Sequence, residues 1–411
     1  MTQEKALEYL KGPRNVFLTG QPGTGKTYTI NQYIEWCIDN GILPAVTAST
    51  GIAAVHVGGT TIHSWAGVRD DNALTAQDVE DILSNPWVRD RLCKTEVLII
   101  DEISMVSKKL LNVVSVLAMA ARNSDDPFGG IKVIVVGDFF QLPPVKGEFA
   151  FEAEAWDQAD FQVCYLHEQY RQSEKVFNDI LTNIRAGHLT AEQKEIIRGR
   201  VTTDASNLDG AIRLDTHNAK VDKINEMKLD RLEGQPQTYV MSEHGNEKIV
   251  KMLKANCLSP ERLILKVGAK VMFTKNDALN KAWVNGTQGE VTMLGDGFVK
   301  VKLRNGASVD VGFHEWEYCE GYGKNKNVIA MIMQIPLKLA YAITIHKSQG
   351  MTLDEAVIDV SHVFACGQAY VAVSRVRSID GVHFQGRLTK GFLNVDESVL
   401  EMDKKFLELG M

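Results

Sequence analysis

Residues 15–27 read Asn15-Val16-Phe17-Leu18-Thr19-Gly20-Gln21-Pro22-Gly23-Thr24-Gly25-Lys26-Thr27, an apolar run that breaks into a glycine-rich turn and ends on a lysine and a hydroxyl. The run over 15–20 is short and does not alternate, as a strand buried on both faces requires. A helical pattern follows Thr27. Strand, glycine loop and helix in this order form a phosphate cradle: the glycines let backbone N–H groups turn inward, and the helix start adds partial positive charge. In such a loop Lys26 reaches the β- and γ-phosphates and Thr27 ligates Mg²⁺. The candidate nucleotide-binding set here is Gly20, Gly23, Thr24, Gly25, Lys26 and Thr27.

Working outward, further unalternating runs occupy residues 45–49, 97–101 and 133–138, and a second series occupies 211–216, 356–360 and 381–385. Buried strands alternating with helical segments predict an α/β fold with parallel sheets. Helical stretches at 177–184 and 191–198 lie between the two series and mark a domain junction. A chain of 411 residues has room for two or three domains. Residues 268–335 behave differently. Period-two alternation dominates there, and Gly295-Asp296-Gly297 and Asn305-Gly306 supply hairpin turns, which predicts a small all-β insertion.

The run at 97–101 ends in Asp101 and Glu102. An acidic pair ending a strand is commonly a solvated cap. Downstream of a phosphate loop it reads as a Mg²⁺ ligand, Asp101, and a base that orients and deprotonates water, Glu102. After the 133–138 run comes Phe139-Phe140-Gln141-Leu142-Pro143-Pro144, where paired prolines stiffen a turn that presents Gln141 toward a γ-phosphate. Tyr170-Arg171-Gln172 and Val373-Ser374-Arg375 each carry an arginine remote from the loop. Two such arginines from a second lobe, closing on the γ-phosphate, would couple hydrolysis to closure.

Taken in order, these segments resemble the superfamily 1 helicases of the B class, the group of the Pif, Dda and RecD enzymes. The set includes the Gly20–Thr27 loop, Ala48-Ser49-Thr50-Gly51-Ile52-Ala53-Ala54, Thr61-Ile62-His63-Ser64 and Asp101-Glu102-Ile103-Ser104-Met105. It continues through the Gln141 turn, Tyr170-Arg171-Gln172, residues 341–352 and Tyr370-Val371-Ala372-Val373-Ser374-Arg375. Pro127-Phe128-Gly129-Gly130-Ile131-Lys132 is similar to a stretch of the Pif branch. The resemblance spans nearly the whole chain.

What the resemblance implies is an ATP-dependent, 5′-to-3′ DNA helicase with two RecA-like parallel-sheet motor domains, residues 1–185 and residues 186–267 with 336–411. An SH3-like insertion would fill 268–335, and a short strand-separating wedge would fall at about 65–81. Lys26, Glu102, Gln141, Arg171 and Arg375 take catalytic positions. Gln3 matches an adenine-reading glutamine, although a terminal glutamine is also commonly just solvated, and Gly350 joins the nucleotide site. Thr50, His63, Ser64, Thr344 and His346 fall on positions that track single-stranded DNA through its phosphates. ATP and Mg²⁺ are the implied cofactors. Single-stranded and forked duplex DNA are the implied partners, and the free protein is expected to be a monomer.

Bulk properties narrow this further. Hydrophobic residues are 45% and charged residues 24%, which is ordinary globular composition. The net charge of −7 opposes DNA binding overall, so any DNA track must be a local basic channel. Lys266, Lys270, Lys275 and Lys281 against Asp277 offer such an excess. Trp283 beside Asn285-Gly286 could stack on a base or pack under its hairpin. The most apolar long stretch, 328–343, is broken by Gln334, Pro336 and Lys338, so no membrane span is expected. Six scattered cysteines and an N-terminus without signal-peptide character fit a reduced setting, cytoplasmic for a bacterial or phage protein and unassigned for a eukaryotic one.

Overall fold

Apolar runs without alternation can hide both faces only by pairing in parallel beneath helices. The computed structural model describes residues 1–68, 74–145, 147–170, 174–202, 208, 211–277, 282–320, 327–362 and 365–410. Two units result: Met1–His188 with Phe364–Tyr370 and Leu393–Met411, and Leu189–Val363 with Val371–Phe392.

In the first unit the strands are β1 (Val16–Gly20), β2 (Pro44–Ala48), β3 (Thr60–Thr61), β4 (Val97–Asp101), β5 (Lys132–Gly137) and β6 (Gln162–Leu166). They form one six-stranded sheet in the order β3-β2-β4-β5-β1-β6. Every pairing is parallel. Val133, Ile134, Val135 and Val136 of β5 have no exposed surface. Burying each such side chain contributes about 1.5–3 kcal/mol. Because all strands run one way, the loops that follow them share one edge of the sheet.

Helix Glu397–Leu409 packs on this same unit. Its Phe406 ring lies 4.9 Å from Phe17 of β1 and 6.0 Å from Trp156. The sequence reading assigned 336–411 to the second lobe. The structure returns the end of the chain to the first, because an amphipathic helix shows that it has a buried face without showing against what. Between β3 and β4 the chain is helical, with helices Ile62–Ala66, Ala76–Leu83 and Pro86–Lys94. Of the stretch expected as a wedge at 65–81, residues 69–73 lie outside the described residues.

The second unit opens with β7 (Val201–Thr202) and β8 (Ile212–Asp215). It continues through β9 (Gln237–Val240), β10 (Ser242–Gly245), β11 (Arg262–Leu265), β12 (Lys270–Phe273) and β13 (Gln288–Gly295). After β14 (Phe298–Leu303), β15 (Ser308–Gly312), β16 (His314–Glu320), β17 (Asn327–Gln334) and β18 (Leu337–Leu339), it ends with β19 (Ala342–Thr344), β20 (Ala356–Asp359) and β21 (Val382–Gln385). The order β19-β8-β20-β21-β7 makes a second parallel sheet. The β-rich part holds the antiparallel sheet β15-β14-β13-β12-β18, the sheet β10-β17-β16 and the pair β11-β9. Antiparallel pairing thus starts at Gln237 and runs to Leu339, wider than the expected 268–335. The upstream strands are four residues long, and all of β10 is exposed, so no apolar alternation marked them.

Trp283 belongs to the core of this region, its ring stacked on Phe273 at 4.5 Å among Val299, Val301 and Leu337. The packing alternative holds. Lys266 donates to the Leu232 carbonyl at 2.8 Å, and Lys275 lies over the Trp316 ring at 5.2 Å, so two of the expected channel lysines are engaged with their own chain. Lys281 lies outside the described residues. Among the described residues, no helix is long and apolar enough to cross a membrane.

Candidate nucleotide and nucleic-acid site

Strand order brings the predicted residues of the first unit to one edge. Following β1, β5 and β4, three neighbours in the sheet, come the Gly20–Thr27 loop, the Gln141 turn and the Asp101-Glu102 pair. Adjacent strands lie roughly 5 Å apart, so the three groups share one nucleotide-sized space. Crevices at the carboxyl ends of parallel strands are where such sheets bind ligands.

The loop passes into helix Lys26–Asp39 through Gly25 at φ 84°, a left-handed conformation that suits glycine. A Cβ on Gly25 would sit 1.9 Å from Gln3 Nε2. Gln3 stands in the first turn of helix Gln3–Lys11, which Thr2 caps by accepting the Lys5 N–H. From there its amide donates to the Thr24 carbonyl at 3.0 Å, so Gln3 lies directly on the loop. Lys26 bends across the loop and donates to the carbonyls of Gly20 at 2.8 Å and Gln21 at 3.1 Å. Thr27 is exposed in the first helical turn.

Asp101 ends β4, and its carboxylate accepts the Glu102 N–H at 2.9 Å. Desolvation and the neighbouring Glu102 charge push the Asp101 carboxyl up from the usual range, against the pull of that N–H and of the Lys26 ammonium. A divalent cation beside this carboxyl would favour its charged form. The oxygens of Asp101 and of the Thr27 hydroxyl are hard donors, the kind that suits Mg²⁺. Glu102 itself adopts φ 53°, outside the range most side chains prefer. Gln141 is buried at 5% exposure, and its N–H donates to the Asp138 carbonyl at 2.9 Å.

Beyond β6, the Tyr170 N–H donates to the Gly23 carbonyl at 2.9 Å. This ties Tyr170 to the loop within the first unit, whereas the sequence reading takes both arginines from a second lobe. Arg171 and Gln172 lie outside the described residues. Thr50 follows β2 and accepts the Ala53 N–H at 3.3 Å, while Thr61 at the end of β3 accepts the Ser64 N–H at 3.2 Å. Register pairs Ala48 with Thr61, so Thr50, His63 and Ser64 lie on the far part of the same edge.

In the second unit, Thr344 ends β19, and its hydroxyl accepts the Lys347 N–H at 3.3 Å. His346 is exposed at the start of the turn His346–Ser348, and Gly350 follows with φ 74°. Arg375 is 2% exposed, donating to the Val371 carbonyl at 2.9 Å and the Ser374 hydroxyl at 2.8 Å. Sequence reasoning missed the contribution of Tyr170's backbone and of Lys132. The Lys132 ammonium donates to the carbonyls of Leu10 and Gly12 and so closes the end of the helix that carries Gln3. No local pattern marks either contact.

A parallel sheet carrying a phosphate loop, an acidic pair and a glutamine turn on successive strand ends, with a second parallel-sheet unit in the same chain, defines a RecA-like motor of the helicase class. A PIF1-like helicase family model matches residues 3–195, and a model of the DNA helicase Pif1 2B domain matches residues 249–294. The ATP-dependent DNA helicase Pif1 of Psychrobacter sp. (strain PRwf-1) is 39% identical, over 100% of this chain and 71% of the relative. The crystal structure of Bacteroides sp. Pif1 in complex with ADP-AlF4 matches with TM-score 0.88 at 34% identity, covering 99% of this chain and 97% of that one. Bacteroides Pif1 bound to ssDNA matches with TM-score 0.65 at 33% identity, covering 99% and 97%. The chain belongs to the Pif1 family of ATP-dependent DNA helicases.

Proposed function

We propose that this chain hydrolyses ATP with Mg²⁺ to drive itself 5′ to 3′ along single-stranded DNA and unwind forked duplexes, and that it is a monomer when free. One observation carries the nucleotide reading: the Gly20–Thr27 loop, Asp101 with Glu102, and Gln141 stand on three neighbouring strand ends of one parallel sheet. Gln3, Gly20, Gly23, Thr24 and Gly25 bind the nucleotide, together with Gly350 of the second unit. Lys26 faces the β- and γ-phosphates. Thr27 and Asp101 hold Mg²⁺, which when bound neutralises charge on the phosphate oxygens. Glu102 takes the proton of the water that attacks the γ-phosphorus as its bond to the β-phosphate oxygen breaks. Gln141 contacts the γ-phosphate, and Arg171 and Arg375 stabilise the charge that develops on it.

Thr50, His63, Ser64, Thr344 and His346 contact DNA phosphates. The antiparallel sheet around β12 to β15 is the SH3-like element and borders the strand's path. The family likeness supports the DNA substrate, since the Bacteroides relative is bound to ssDNA. Polarity depends on which unit holds the strand tightly in each nucleotide state. Single-turnover strand displacement on matched duplexes with a 5′ or a 3′ tail tests it. Unwinding is expected from the 5′ tail alone, and unwinding from the 3′ tail alone overturns the polarity and the DNA-contact assignments with it.

A further inference from the structure

Arg185 ends helix Lys175–Arg185 and is 8% exposed. Its guanidinium donates to Asp403 at 3.0 and 3.1 Å, to the Tyr165 hydroxyl at 2.8 Å and to Asp138 at 3.3 Å. Its central carbon lies over the Phe140 ring, 3.7 Å from the centroid. The other Asp138 oxygen accepts the Tyr370 hydroxyl at 3.2 Å. Burial and the Asp138 charge hold the Tyr370 phenol above its ordinary value, so it remains a donor. Charge-assisted bonds of this kind are stronger than neutral ones.

Asp138 is the pivot of the Gln141 turn. Its carbonyl accepts the Gln141 N–H at 2.9 Å, and its carboxylate accepts the Phe140 N–H at 3.3 Å. Gly367 presses on the same turn: with φ 74°, a Cβ there would lie 2.4 Å from the Phe140 carbonyl and 2.5 Å from that of Gln141. Segments around residues 185, 367–370 and 403 therefore converge on four residues, one of which is Gln141. A buried ion pair is poor evidence for stability, since desolvation offsets much of its attraction. Its placement at this turn calls for a positional explanation. Helix Gln368–Ser374, which Tyr370 anchors, also ends one residue before Arg375.

We propose that Asp138, Arg185, Tyr370 and Asp403 are positioning residues for ATP hydrolysis, holding the Gln141 turn in its working geometry and making the C-terminal helix part of the ATPase apparatus. This rests on the reading of Gln141 as the γ-phosphate contact. None of the four touches nucleotide itself; each acts through the turn.

The test compares Tyr370→Phe, Asp403→Asn, Gln141→Ala and the double variant Tyr370→Phe/Gln141→Ala in the full chain. It measures kcat and KM for ATP with saturating single-stranded DNA, together with thermal melting. Tyr370→Phe keeps the ring and removes only the hydroxyl. It is expected to melt like the parent, to lower kcat about tenfold with KM within about twofold, and to add nothing to Gln141→Ala in the double variant, as residues acting as one unit do. Normal kcat in both Tyr370→Phe and Asp403→Asn, with Gln141→Ala slow, overturns the network's role and leaves the Gln141 reading standing. Losses that multiply in the double variant, or that track melting alone, also overturn it. Full turnover in Gln141→Ala overturns the Gln141 reading and the proposal together.

Discussion

Glu102 has φ 53° immediately after β4 ends at Asp101. A non-glycine residue in that region costs of order 1 kcal/mol or more and persists where the surroundings over-determine it. Here the Asp101 carboxylate fixes the Glu102 N–H at 2.9 Å, and the buried Ile103 and Ser104 follow at once. Continued as a strand, the chain would send the two carboxylates to opposite faces; with the turn at Glu102, its charge stays near enough to raise the Asp101 carboxyl. Glu102→Gln is isosteric and is expected to keep Mg·ATP binding while lowering kcat by roughly 10²- to 10⁴-fold, the usual contribution of a general base. Nucleotide binding by equilibrium fluorescence and hydrolysis in a single turnover measure the two separately. Lost nucleotide affinity with retained turnover per bound ATP would make Glu102 a ligand and move the base elsewhere. The acidic pair was legible in sequence because strand and loop context surround it. Arg185 was not, since its partners Asp138 and Asp403 lie 47 and 218 residues away.

At the scale of elements, the buried parallel strands were readable from apolar runs alone, and β1, β2, β4 and β5 fall within a residue of the expected runs. Partnerships between helices and sheets were less so. The 127–132 stretch resembles the Pif branch in sequence, and its physical task emerges only in three dimensions. Phe128 at φ 54° is fully buried and donates its N–H to Ser115, while Lys132 closes the helix that presents Gln3 to the phosphate loop. The C-terminal helix is the larger case. Phe406 is 5% exposed, and its ring centroid lies 4.9 Å from that of Phe17 and 6.1 Å from that of Phe139, a strand residue and a turn residue that both flank the nucleotide edge. Phe406→Ala should destabilise the first unit by about 3–5 kcal/mol, the cost of removing a buried phenyl from a closed cluster. Urea unfolding followed by tryptophan emission, with Trp156 in that cluster as reporter, measures it. A change below about 1 kcal/mol would mean that the helix does not brace the first unit.

For the whole molecule the question is how a chain of net charge −7 grips a polyanion. Overall repulsion is screened beyond about 8 Å at physiological salt, so binding is decided by the groups that line the track. The proposed contacts are hydroxyl and imidazole donors: Thr50, His63 and Ser64 in the first unit, Thr344 and the exposed His346 in the second. Such donors meet phosphate and sugar, which every sequence presents alike. Of the lysines expected to line a basic channel, Lys266 and Lys275 are engaged with their own chain. If three to five phosphates are neutralised, the affinity for single strands should fall with salt at a log–log slope of roughly −2 to −3.5. Between 50 and 200 mM salt that is a loss of roughly ten- to a hundredfold, with little difference among base compositions. Fluorescence anisotropy of labelled oligonucleotides of mixed, pyrimidine-only and purine-only sequence measures both quantities. A slope near zero would mean that no cationic channel is used, and a tenfold preference for one composition would mean that bases rather than backbone are gripped, in which case these donors would lose their assignment as the track.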